Sequence, residues 1–412
     1  MLFVYRFFIN IILVLSPAIF LFRVYKKKES LKSYIQKLGF PSKKRNKGNL
    51  IWFHGASVGE LQSIVPLLEK FEKENDITQI LVTSNTLSSS RIIEKQKLKK
   101  TIHQFFPIDS NFVSKQFINY WNPSKAYFVD SEIWPNTVLN LKLKKIPTIL
   151  VNGRISKKSF KRWSFFKNFS KTIFSNFKLC LASSNESLKY LKKLKIKNVK
   201  FIGNLKFSQS EKEVSRINEK INNFFKNKRV WCASSTHKSE EVICGNIHLE
   251  LKKRFSNILT IIIPRHIERC EQIKNDLNKL NLKVHMDEPQ KKISSNTDVY
   301  LVNSYGKTKF FFDKVQNIFL GGSLIKHGGQ NPLEAARFGC NILNGPYVQN
   351  FKEIYKFLEK NNISRKISNE KELINYLRKL LNKKIKINQI QKKLRLIGKN
   401  ILEKSYKEIS LC

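Results

Sequence analysis

Short apolar runs recur along the chain, and each is followed by a tight polar turn and then by an amphipathic segment. Apolar runs bounded by turn residues are typical of buried strands, and the amphipathic segments are typical of helices. The predicted strands are residues 50–53, 80–83, 102–106, 126–129, 147–151 and 179–182 in the first half, and 230–233, 258–263, 298–302 and 317–320 in the second. Because repeated βα units build a parallel sheet with helices on both faces, the sequence predicts a doubly wound α/β fold.

The length of the chain implies two such domains. Its 412 residues exceed the roughly 250–300 at which a single hydrophobic core stops growing. Residues 209–228 are polar with a helical pattern, and a second series of strands starts after them. We therefore expect a first domain over 26–208, a linker over 209–228 and a second domain over 229–412. The two domains are expected to face each other across a cleft.

Residues 1–25 differ from everything that follows. Their only charges are Arg6 and Arg23, residues 7–22 are almost continuously apolar, and no small-residue cleavage site of a signal peptide is evident. A segment of about 20 apolar residues can cross a bilayer or lie in its surface, and a buried first helix is the alternative. The lysines at 26–28 favour a cytoplasmic location for the rest of the chain. We expect a single N-terminal membrane anchor over 1–25.

The composition limits the partners and the compartment of the protein. It has 77 Lys and Arg against 31 Asp and Glu, a formal net charge of +46, which favours an anionic partner such as nucleic acid, an acidic membrane or a phosphorylated substrate. Lysines recur throughout the chain, which is typical of solvated helix faces and of a general compositional bias. The cysteines show no CxxC spacing, so a reducing compartment without structural zinc is expected; they are Cys180, Cys232, Cys244, Cys270, Cys340 and Cys412.

The segment HGASVGE at 54–60 joins the first predicted strand to the first amphipathic helix. Ser57 and Glu60 have the spacing of a capping box, in which Ser57 accepts from a first-turn amide and Glu60 reaches back to the cap amide. The same spacing places the Glu60 carboxylate at the carboxyl end of a strand, where open α/β sheets hold their ligands. From spacing alone, both a helix cap and a catalytic carboxylate are consistent with Glu60, and the cap is the commoner arrangement.

Two segments of the second domain have the features of an anion site. A glycine-rich loop at 321–330 precedes Asn331, a good N-cap, and Pro332, which suits the first helical position. Free amides and the positive end of a helix dipole can hold a phosphate without a metal. Arg265 and His266 directly follow another apolar strand and add donors at the same edge of the sheet. Each feature alone is also consistent with a structural turn or with surface residues.

Seven segments taken together resemble a known family. They are HGASVGE at 54–60, DSEIWPN at 130–136, NGRIS at 152–156, FIGNLKF at 201–207, ASSTHKSEE at 233–241, PRH at 264–266 and GGSLIKHGGQNPLEAA at 321–336. Their order resembles the Kdo transferases of lipopolysaccharide synthesis, which transfer 3-deoxy-D-manno-octulosonic acid (Kdo) from CMP-Kdo to lipid A precursor. The resemblance covers nearly the whole chain. It implies a GT-B glycosyltransferase with two Rossmann-like domains, bound to anionic lipid at the cytoplasmic face of the inner (plasma) membrane.

The resemblance also implies roles for residues of the first domain, which would bind the acceptor. The family's general base matches Glu60, which would take the proton of the acceptor hydroxyl, here lipid IVA, during transfer with inversion. Asp130 matches a charge-stabilising position at which enteric relatives usually have Glu. Lys206 matches a position that stabilises the transition state. The leaving group CMP is already a good anion, so neither a general acid nor a cofactor nor a metal is expected.

The CMP-binding residues implied by the family lie in the second domain. They are Arg265, His266, Tyr305, Gly306, Lys307, Asn331, Pro332, Leu333 and Glu334. The family's Met-Gly-Glu turn reads Tyr305-Gly306-Lys307 here, which reverses one charge. Glu334 is expected to accept from the ribose hydroxyls, with Asn331 and the helix amides nearer the phosphate.

Two other functional classes are consistent with part of the sequence. A GT-B enzyme that uses another nucleotide sugar and lipid acceptor would have the same phosphate loop, and a donor screen of CMP-Kdo against UDP-sugars would distinguish it. A nucleic-acid-binding protein is suggested by charge alone, and no RNA- or DNA-binding motif is recognisable. We therefore expect no nucleic-acid partner.

Overall fold

The computed structural model describes residues 1–26, 29–209, 219–288, 292–382 and 387–412. The chain forms two compact units, unit 1 from Met1–Gln209 with Ile397–Cys412, and unit 2 from Ser210–Leu396. Each unit contains one seven-stranded sheet, and all the strand pairs described in both sheets are parallel. The predicted doubly wound α/β architecture is therefore confirmed in each unit.

Unit 1 alternates strands and helices. Its strands are β1 Asn49–His54, β2 Ile77–Ser84, β3 Thr101–Phe105, β4 Lys125–Val129, β5 Thr148–Gly153, β6 Phe177–Ala182 and β7 Val199–Phe201. Its helices are α1 Leu2–Tyr25, α2 Leu31–Lys37, α3 Val58–Phe71, α4 Leu87–Glu94, α5 Asn111–Trp121, α6 Pro135–Leu143, α7 Lys157–Phe165, α8 Lys167–Phe174 and α9 Asn185–Lys193, followed by a 3-10 turn at Leu205–Ser208. The central strands are buried on both faces, as their continuous apolar sequences require.

The strand order of unit 1 reverses beside its first strand. Across the sheet the order is β3-β2-β1-β4-β5-β6-β7. The chain therefore moves outward from β1 to β3 and then returns to the other side of β1 for β4. At such a reversal the loops after the two central strands run apart and leave a crevice, which is where open α/β sheets bind ligands. The loops in question begin at Gly55 and Asp130.

Unit 2 repeats this plan. Its strands are β8 Arg229–Thr236, β9 Ile258–Pro264, β10 Val284–Met286, β11 Val299–Leu301, β12 Asn317–Leu320, β13 Asn341–Asn344 and β14 Ser364–Lys366. Its helices are α10 Glu219–Phe225, α11 Glu240–Lys252, α12 Cys270–Asn278, α13 Thr308–Lys314, α14 Leu333–Arg337, α15 Lys352–Lys360 and α16 Glu370–Leu381, and the last helix is α17 Ile387–Ser410. The order β10-β11-β9-β8-β12-β13-β14 reverses between β8 and β12.

The C-terminal segment does not follow the predicted domain boundary. The sequence predicts a second domain over 229–412, whereas Ile397–Cys412 belongs to unit 1. The reason is packing, since the Tyr406 ring lies against the Phe71 ring with centroids 5.2 Å apart. A helical pattern in the sequence does not reveal which sheet the helix will cover. The predicted linker at 209–228 lies partly outside the described residues, which resume at 219 within α10.

The N-terminal segment is helical, as the sequence predicts. Within the described parts of the chain, α1 is the one helix long and apolar enough to cross a membrane, with a mean hydropathy of 2.2 over its best window. Ser16 is its only buried residue. Its length and composition meet the requirement for an anchor.

Candidate active site

The crevice of unit 1 brings together side chains from the two central loops. β1 pairs with β4 in parallel, with His54 opposite Phe128. The chain after β1 leads into α3, which carries Glu60 in its first turn. The chain after β4 carries Asp130 and Glu132. The predicted base is therefore at the carboxyl end of the sheet, beside two other carboxylates.

Glu60 caps its own helix start, although not as a capping box. Ser57 is the N-cap residue and its Oγ accepts from the Glu60 amide at 3.4 Å. The Glu60 carboxylate accepts from the Ala56 amide at 2.7 Å and from the Ser57 hydroxyl at 2.8 Å. The predicted return bond to the Ser57 amide is thus replaced by one to the residue before the cap. These contacts fix the carboxylate while leaving the side chain partly exposed.

The surroundings of Glu60 raise its pKa to about 7. Burial is the largest cause, because the charged form loses hydration. The negative charges of Glu132 and Asp130 act in the same direction, and the hydrogen bonds from Ser57 and Ala56 oppose them. A carboxylate with a pKa near neutral pH can exist in both protonation states under working conditions, as a general base requires.

Asp130 and Lys206 form an ion pair beside Glu60. Asp130 is buried, has a left-handed φ of +61°, and lies 3.4 Å from the Lys206 Nζ through its Oδ2. Lys206 belongs to the short 3-10 turn, which Asn152 positions because its Oδ1 accepts from the Leu205 amide at 2.9 Å. The structure therefore brings the predicted Lys206 and Asp130 together, although 76 residues separate them in sequence.

In unit 2, the glycine-rich loop is organised by a carboxylate. Glu240, at the start of α11, is fully buried and accepts from the amides of Gly322, Ser323 and Leu324 at 2.6, 3.1 and 3.1 Å. It also accepts from the His237 amide at 3.0 Å. The first amides of this loop are therefore occupied, contrary to our expectation that they would be free for a phosphate. The physical reason is that Glu240 links the two loops that follow β8 and β12.

Basic and imidazole groups surround the same loop. The His237 ring lies 3.8 Å from the His327 ring and 5.9 Å from the His266 ring, measured between centroids. Burial lowers the pKa of His237 to about 4, and the charges of His327, His266, Arg265 and Arg269 act in the same direction. Arg265 and His266 are themselves exposed at the end of β9. The sequence-predicted pair therefore lies in an electropositive region that would favour an anion.

The remaining predicted CMP contacts lie on two other segments of unit 2. Tyr305 is 68% exposed and Gly306 has a φ of +88°. Lys307 pairs at 2.5 Å with the buried Asp287, so the reversed charge of this turn has a partner within the unit. An acidic residue at position 307 would face Asp287 and would be repelled by it.

The predicted helix after the glycine-rich loop is present but short. α14 has five residues and its N-cap is Pro332, one position later than predicted, whereas the Asn331 Oδ1 still accepts from the Leu333 amide at 3.1 Å. Leu333 is buried, so its side chain supports the helix, and its amide is already bonded to Asn331. Glu334 is partly exposed, and one of its oxygens lies 4.0 Å from the Lys309 Nζ.

Comparison with known proteins assigns the chain to a family. The profile of the 3-deoxy-D-manno-octulosonic-acid transferases (Kdo transferases) matches residues 32–209. The 3-deoxy-D-manno-octulosonic acid transferase of Rickettsia prowazekii is 35% identical over 332 residues, which cover 80% of this chain and 71% of that protein. The same enzyme of Rickettsia bellii is 32% identical over 374 residues, with coverages of 90% and 89%. The chain belongs to the Kdo transferase family. It is therefore a glycosyltransferase of lipopolysaccharide biosynthesis, as predicted.

The fold of this Kdo transferase is shared with more distant proteins. The UDP-GlcNAc 2-epimerase of Neisseria meningitidis bound to UDP-GlcNAc superimposes with a TM-score of 0.59 at 13% identity, covering 88% of this chain and 98% of that protein. At this identity the likeness concerns the fold alone. Together with the two doubly wound sheets, it confirms the predicted GT-B class.

Sequence reasoning missed His54 and Trp134, which contact Glu132 in the crevice of this Kdo transferase. The Glu132 carboxylate accepts from the Trp134 indole at 2.9 Å and lies 3.2 Å from the His54 Nε2. The other ring nitrogen of His54, Nδ1, lies 3.0 Å from the Thr83 hydroxyl. His54, Glu132 and Trp134 all fall within the segments that carry the family resemblance, which is the one signal that could have identified them. Their partners could not be read from spacing because Thr83 lies in a different strand, β2.

Proposed function

We propose that this Kdo transferase uses CMP-Kdo as donor and lipid IVA as acceptor, that transfer proceeds with inversion, and that Glu60 is the general base. The observation that carries the proposal is the placement of Glu60 in the crevice of unit 1 with a pKa of about 7. The acceptor hydroxyl would donate its proton to Glu60 as its oxygen attacks the anomeric carbon of Kdo. The bond from that carbon to the CMP phosphate would break on the opposite side.

The fixed position of Glu60 supports this role. Two hydrogen bonds hold the carboxylate, so little reorganisation is needed when a substrate arrives. General-base catalysis by a positioned side chain typically contributes about 10² to 10⁴ in rate. The pKa of about 7 gives a base that is substantially ionised at neutral pH and is a stronger proton acceptor than an ordinary carboxylate.

Lys206 and Asp130 would supply charge stabilisation. CMP-Kdo carries both the Kdo carboxylate and a phosphate whose negative charge grows as CMP leaves, so a cation near the reaction centre would stabilise the transition state. Asp130 holds the Lys206 ammonium at 3.4 Å and is itself buried. We infer that Asp130 positions Lys206, and that the shorter side chain of Asp130 relative to the family's usual Glu is sufficient for that purpose.

The donor would bind in unit 2. Arg265 and His266 are exposed beside the electropositive region around His237 and can meet the CMP phosphate. Glu334 would accept from the ribose hydroxyls, while the backbone of Gly306 would contact the nucleotide. Since Glu240 occupies the first amides of the glycine-rich loop, the phosphate would rely on these side chains and on Asn331.

The acceptor would be a membrane lipid, and α1 would bring the enzyme to the membrane that contains it. The exposed apolar side chains of α1 would attach unit 1 to the cytoplasmic face of the inner membrane. The excess of basic residues would add attraction to anionic lipid. In this arrangement the phosphorylated disaccharide of lipid IVA could enter the crevice while its acyl chains remain in the bilayer.

The test is transfer by the purified full-length protein. We expect mass spectrometry to detect Kdo added to lipid IVA in the presence of CMP-Kdo, and no product with UDP-GlcNAc or UDP-glucose as matched donor controls. Nuclear magnetic resonance of the product should give an anomeric configuration opposite to that of the donor. Efficient transfer from a UDP-sugar with none from CMP-Kdo would overturn the donor assignment, and retained configuration would overturn the single-displacement mechanism.

A further inference from the structure

A helix packed on a globular domain usually turns its apolar side chains to the protein and its charged ones to solvent, and α1 has the reverse arrangement. Its covered positions recur every three or four residues along its whole length and form one stripe: Leu2, Tyr5, Arg6, Ile9, Leu13, Ser16, Phe20 and Arg23. Both arginines of α1 lie in this stripe. The exposed positions are apolar except for Asn10 and Tyr25, and Phe3 and Val14 are 82% and 77% exposed. The charged side chains of α1 thus face the protein, and apolar side chains dominate its outward face.

The start of α1 is fixed to unit 1 by polar contacts. The Tyr5 hydroxyl donates to the Asp109 Oδ2 at 2.7 Å. Arg6 donates to the Oδ1 atoms of Asn136 and Asn111 at 2.9 and 3.2 Å. Asp109 is buried and also accepts from the Asn136 amide at 3.0 Å, so these contacts join α1 to the first turn of α6. Releasing the first turns of α1 would leave a buried carboxylate with fewer partners.

The second half of α1 is fixed to the same unit. The Ser16 hydroxyl lies 3.0 Å from the Tyr34 hydroxyl, and the Phe20 ring stacks on the Tyr34 ring with centroids 4.4 Å apart. Arg23 pairs with Glu29 at 3.0 Å. Between Tyr5 and Arg23 the helix rises about 27 Å at 1.5 Å per residue, so the contacts extend over nearly its full length.

We propose that α1 lies in the surface of an anionic phospholipid bilayer, parallel to it, and does not cross the membrane. This inference rests on the membrane location proposed above and specifies its mode. A crossing helix has its ends on opposite sides of a hydrocarbon core about 30 Å thick, and a water-soluble domain cannot contact both ends. A helix in the surface keeps one face on the domain and buries the other by about 5–10 Å among the acyl chains.

The neighbouring helices α7 and α8 carry positive charges that complement an anionic bilayer surface. Residues 157–174 contain six basic residues and no acidic one: Lys157, Lys158, Lys161, Arg162, Lys167 and Lys171. Phe165, at the end of α7, is 82% exposed. The Phe169 ring lies 6.4 Å from the Tyr5 ring between centroids, so α8 adjoins the start of α1. Lysines flanking exposed aromatic side chains are typical of surfaces that bind acidic headgroups.

The experiment measures depth at three positions along the exposed face of α1. Spin labels are attached to Phe3→Cys, Val14→Cys and Phe22→Cys, each in full-length protein carrying Cys412→Ser, the five other native cysteines being buried. The proteins are placed in vesicles of phosphatidylethanolamine and phosphatidylglycerol, and accessibility to oxygen and to a water-soluble nickel complex gives the depth. Lys253→Cys, at the exposed C-terminal end of α11 in unit 2, is the water-exposed control.

The expected result is the same shallow depth, about 5–10 Å below the headgroups, at all three positions. A crossing helix would instead place Val14 near the bilayer centre, about 15 Å deep, with Phe3 and Phe22 near opposite surfaces, and that result would overturn the proposal. Water-like accessibility at all three positions would overturn the membrane attachment itself. Neither result depends on Kdo transfer, so failure of this inference is distinguishable from failure of the proposed reaction.

Discussion

Glu60 and Glu240 occupy corresponding places in two sheets of the same plan, and their surroundings differ. Each lies in the first turn of the helix that follows the strand at which the sheet order reverses. Glu240 is fully buried and accepts from four backbone amides, three of them in the loop after β12. Glu60 is partly exposed, accepts from one backbone amide and one hydroxyl, and is close enough to Glu132 and Asp130 for their charges to raise its pKa.

The difference shows how one position in a fold can serve two purposes. In unit 2 the carboxylate uses its acceptor capacity to hold two loops together, which shapes the surface where a nucleotide would bind. In unit 1 the loop after β4 presents carboxylates, whereas the corresponding loop after β12 in unit 2 presents amides. Glu60 therefore has no backbone partner across the crevice among the described residues. Its remaining acceptor capacity faces the crevice. The comparison predicts a catalytic loss at Glu60 and a structural loss at Glu240.

The largest effect is expected for Glu60→Gln. The amide cannot accept the acceptor hydroxyl's proton, so turnover should fall by about 10² to 10⁴. The Gln carbonyl oxygen can still accept from the Ala56 amide, and its NH₂ group can donate to the Ser57 hydroxyl oxygen in place of the present bond, so the melting temperature should hardly change. CMP affinity, measured by calorimetry, should also be unaltered. Transfer at more than about a tenth of the wild-type rate, a smaller loss than a missing base should cause, would reduce Glu60 to a helix cap and make Asp130 or Glu132 the next candidates.

The same substitution at Glu240 should produce the opposite pattern. Glu240→Gln replaces one acceptor oxygen by an NH₂ group that faces amide donors, and hydrogen bonds to a charged acceptor contribute about 1.5–3 kcal/mol each. We expect unit 2 to lose about 2–4 kcal/mol of unfolding free energy. Hydrogen exchange at 322–324 should accelerate in parallel. Glu60→Gln is the matched control, and equal stability of the two variants would refute the structural assignment of Glu240.

A smaller effect is expected for Arg265→Ala. Loss of a charge-assisted contact of about 1.5–3 kcal/mol should raise the KM for CMP-Kdo roughly ten-fold or more, with little change in kcat if Arg265 binds the donor equally in ground and transition states. Lys253→Ala, which also removes one exposed positive charge from unit 2, is the control for a general charge effect. An unchanged donor KM would place Arg265 outside the site.

The smallest effect concerns the pH dependence of the wild-type rate. A base is active when ionised, so kcat/KM should rise as pH increases through the Glu60 pKa of about 7. Removing the Glu132 charge stabilises ionised Glu60, lowers its pKa and should extend activity to lower pH. We expect Glu132→Gln to shift the acid limb downward by up to about one pH unit. A limb that stays in place would mean that Glu132 serves only to orient His54 and Trp134.

Much of this fold could be predicted because its central strands are buried on both faces. Their apolar runs, such as 126–129 in β4, are continuous and therefore conspicuous. The missed strands were short: β7, β10, β13 and β14 have three or four residues each. Unlike the equally short β11 and β12, they contain no three consecutive apolar residues, so tertiary pairing decides their structure. The end of α17 belongs to unit 1 and not to the predicted second domain for a different reason, because long-range contacts such as that of Tyr406 with Phe71 decide it.

The residues of the candidate site could be predicted from the sequence, but the contacts between them could not. Glu60 could be proposed because a motif and a strand end coincide there, and Lys206 because the family resemblance includes it. The pairing of Lys206 with Asp130 depends on the turn held by Asn152, and the role of Glu240 depends on the reversal of strand order in unit 2. Both are long-range contacts, and no local pattern in a single sequence encodes them.

The most direct test of the central claim is the pH–rate profile of wild type and Glu60→Gln measured side by side. If Glu60 is the base, kcat/KM of the wild type should rise through pH about 7, and the much lower activity of the variant should be independent of pH across that region. The variant's melting temperature should match that of the wild type at each pH. A variant that keeps the wild-type acid limb would contradict the account, because another group would then be accepting the proton.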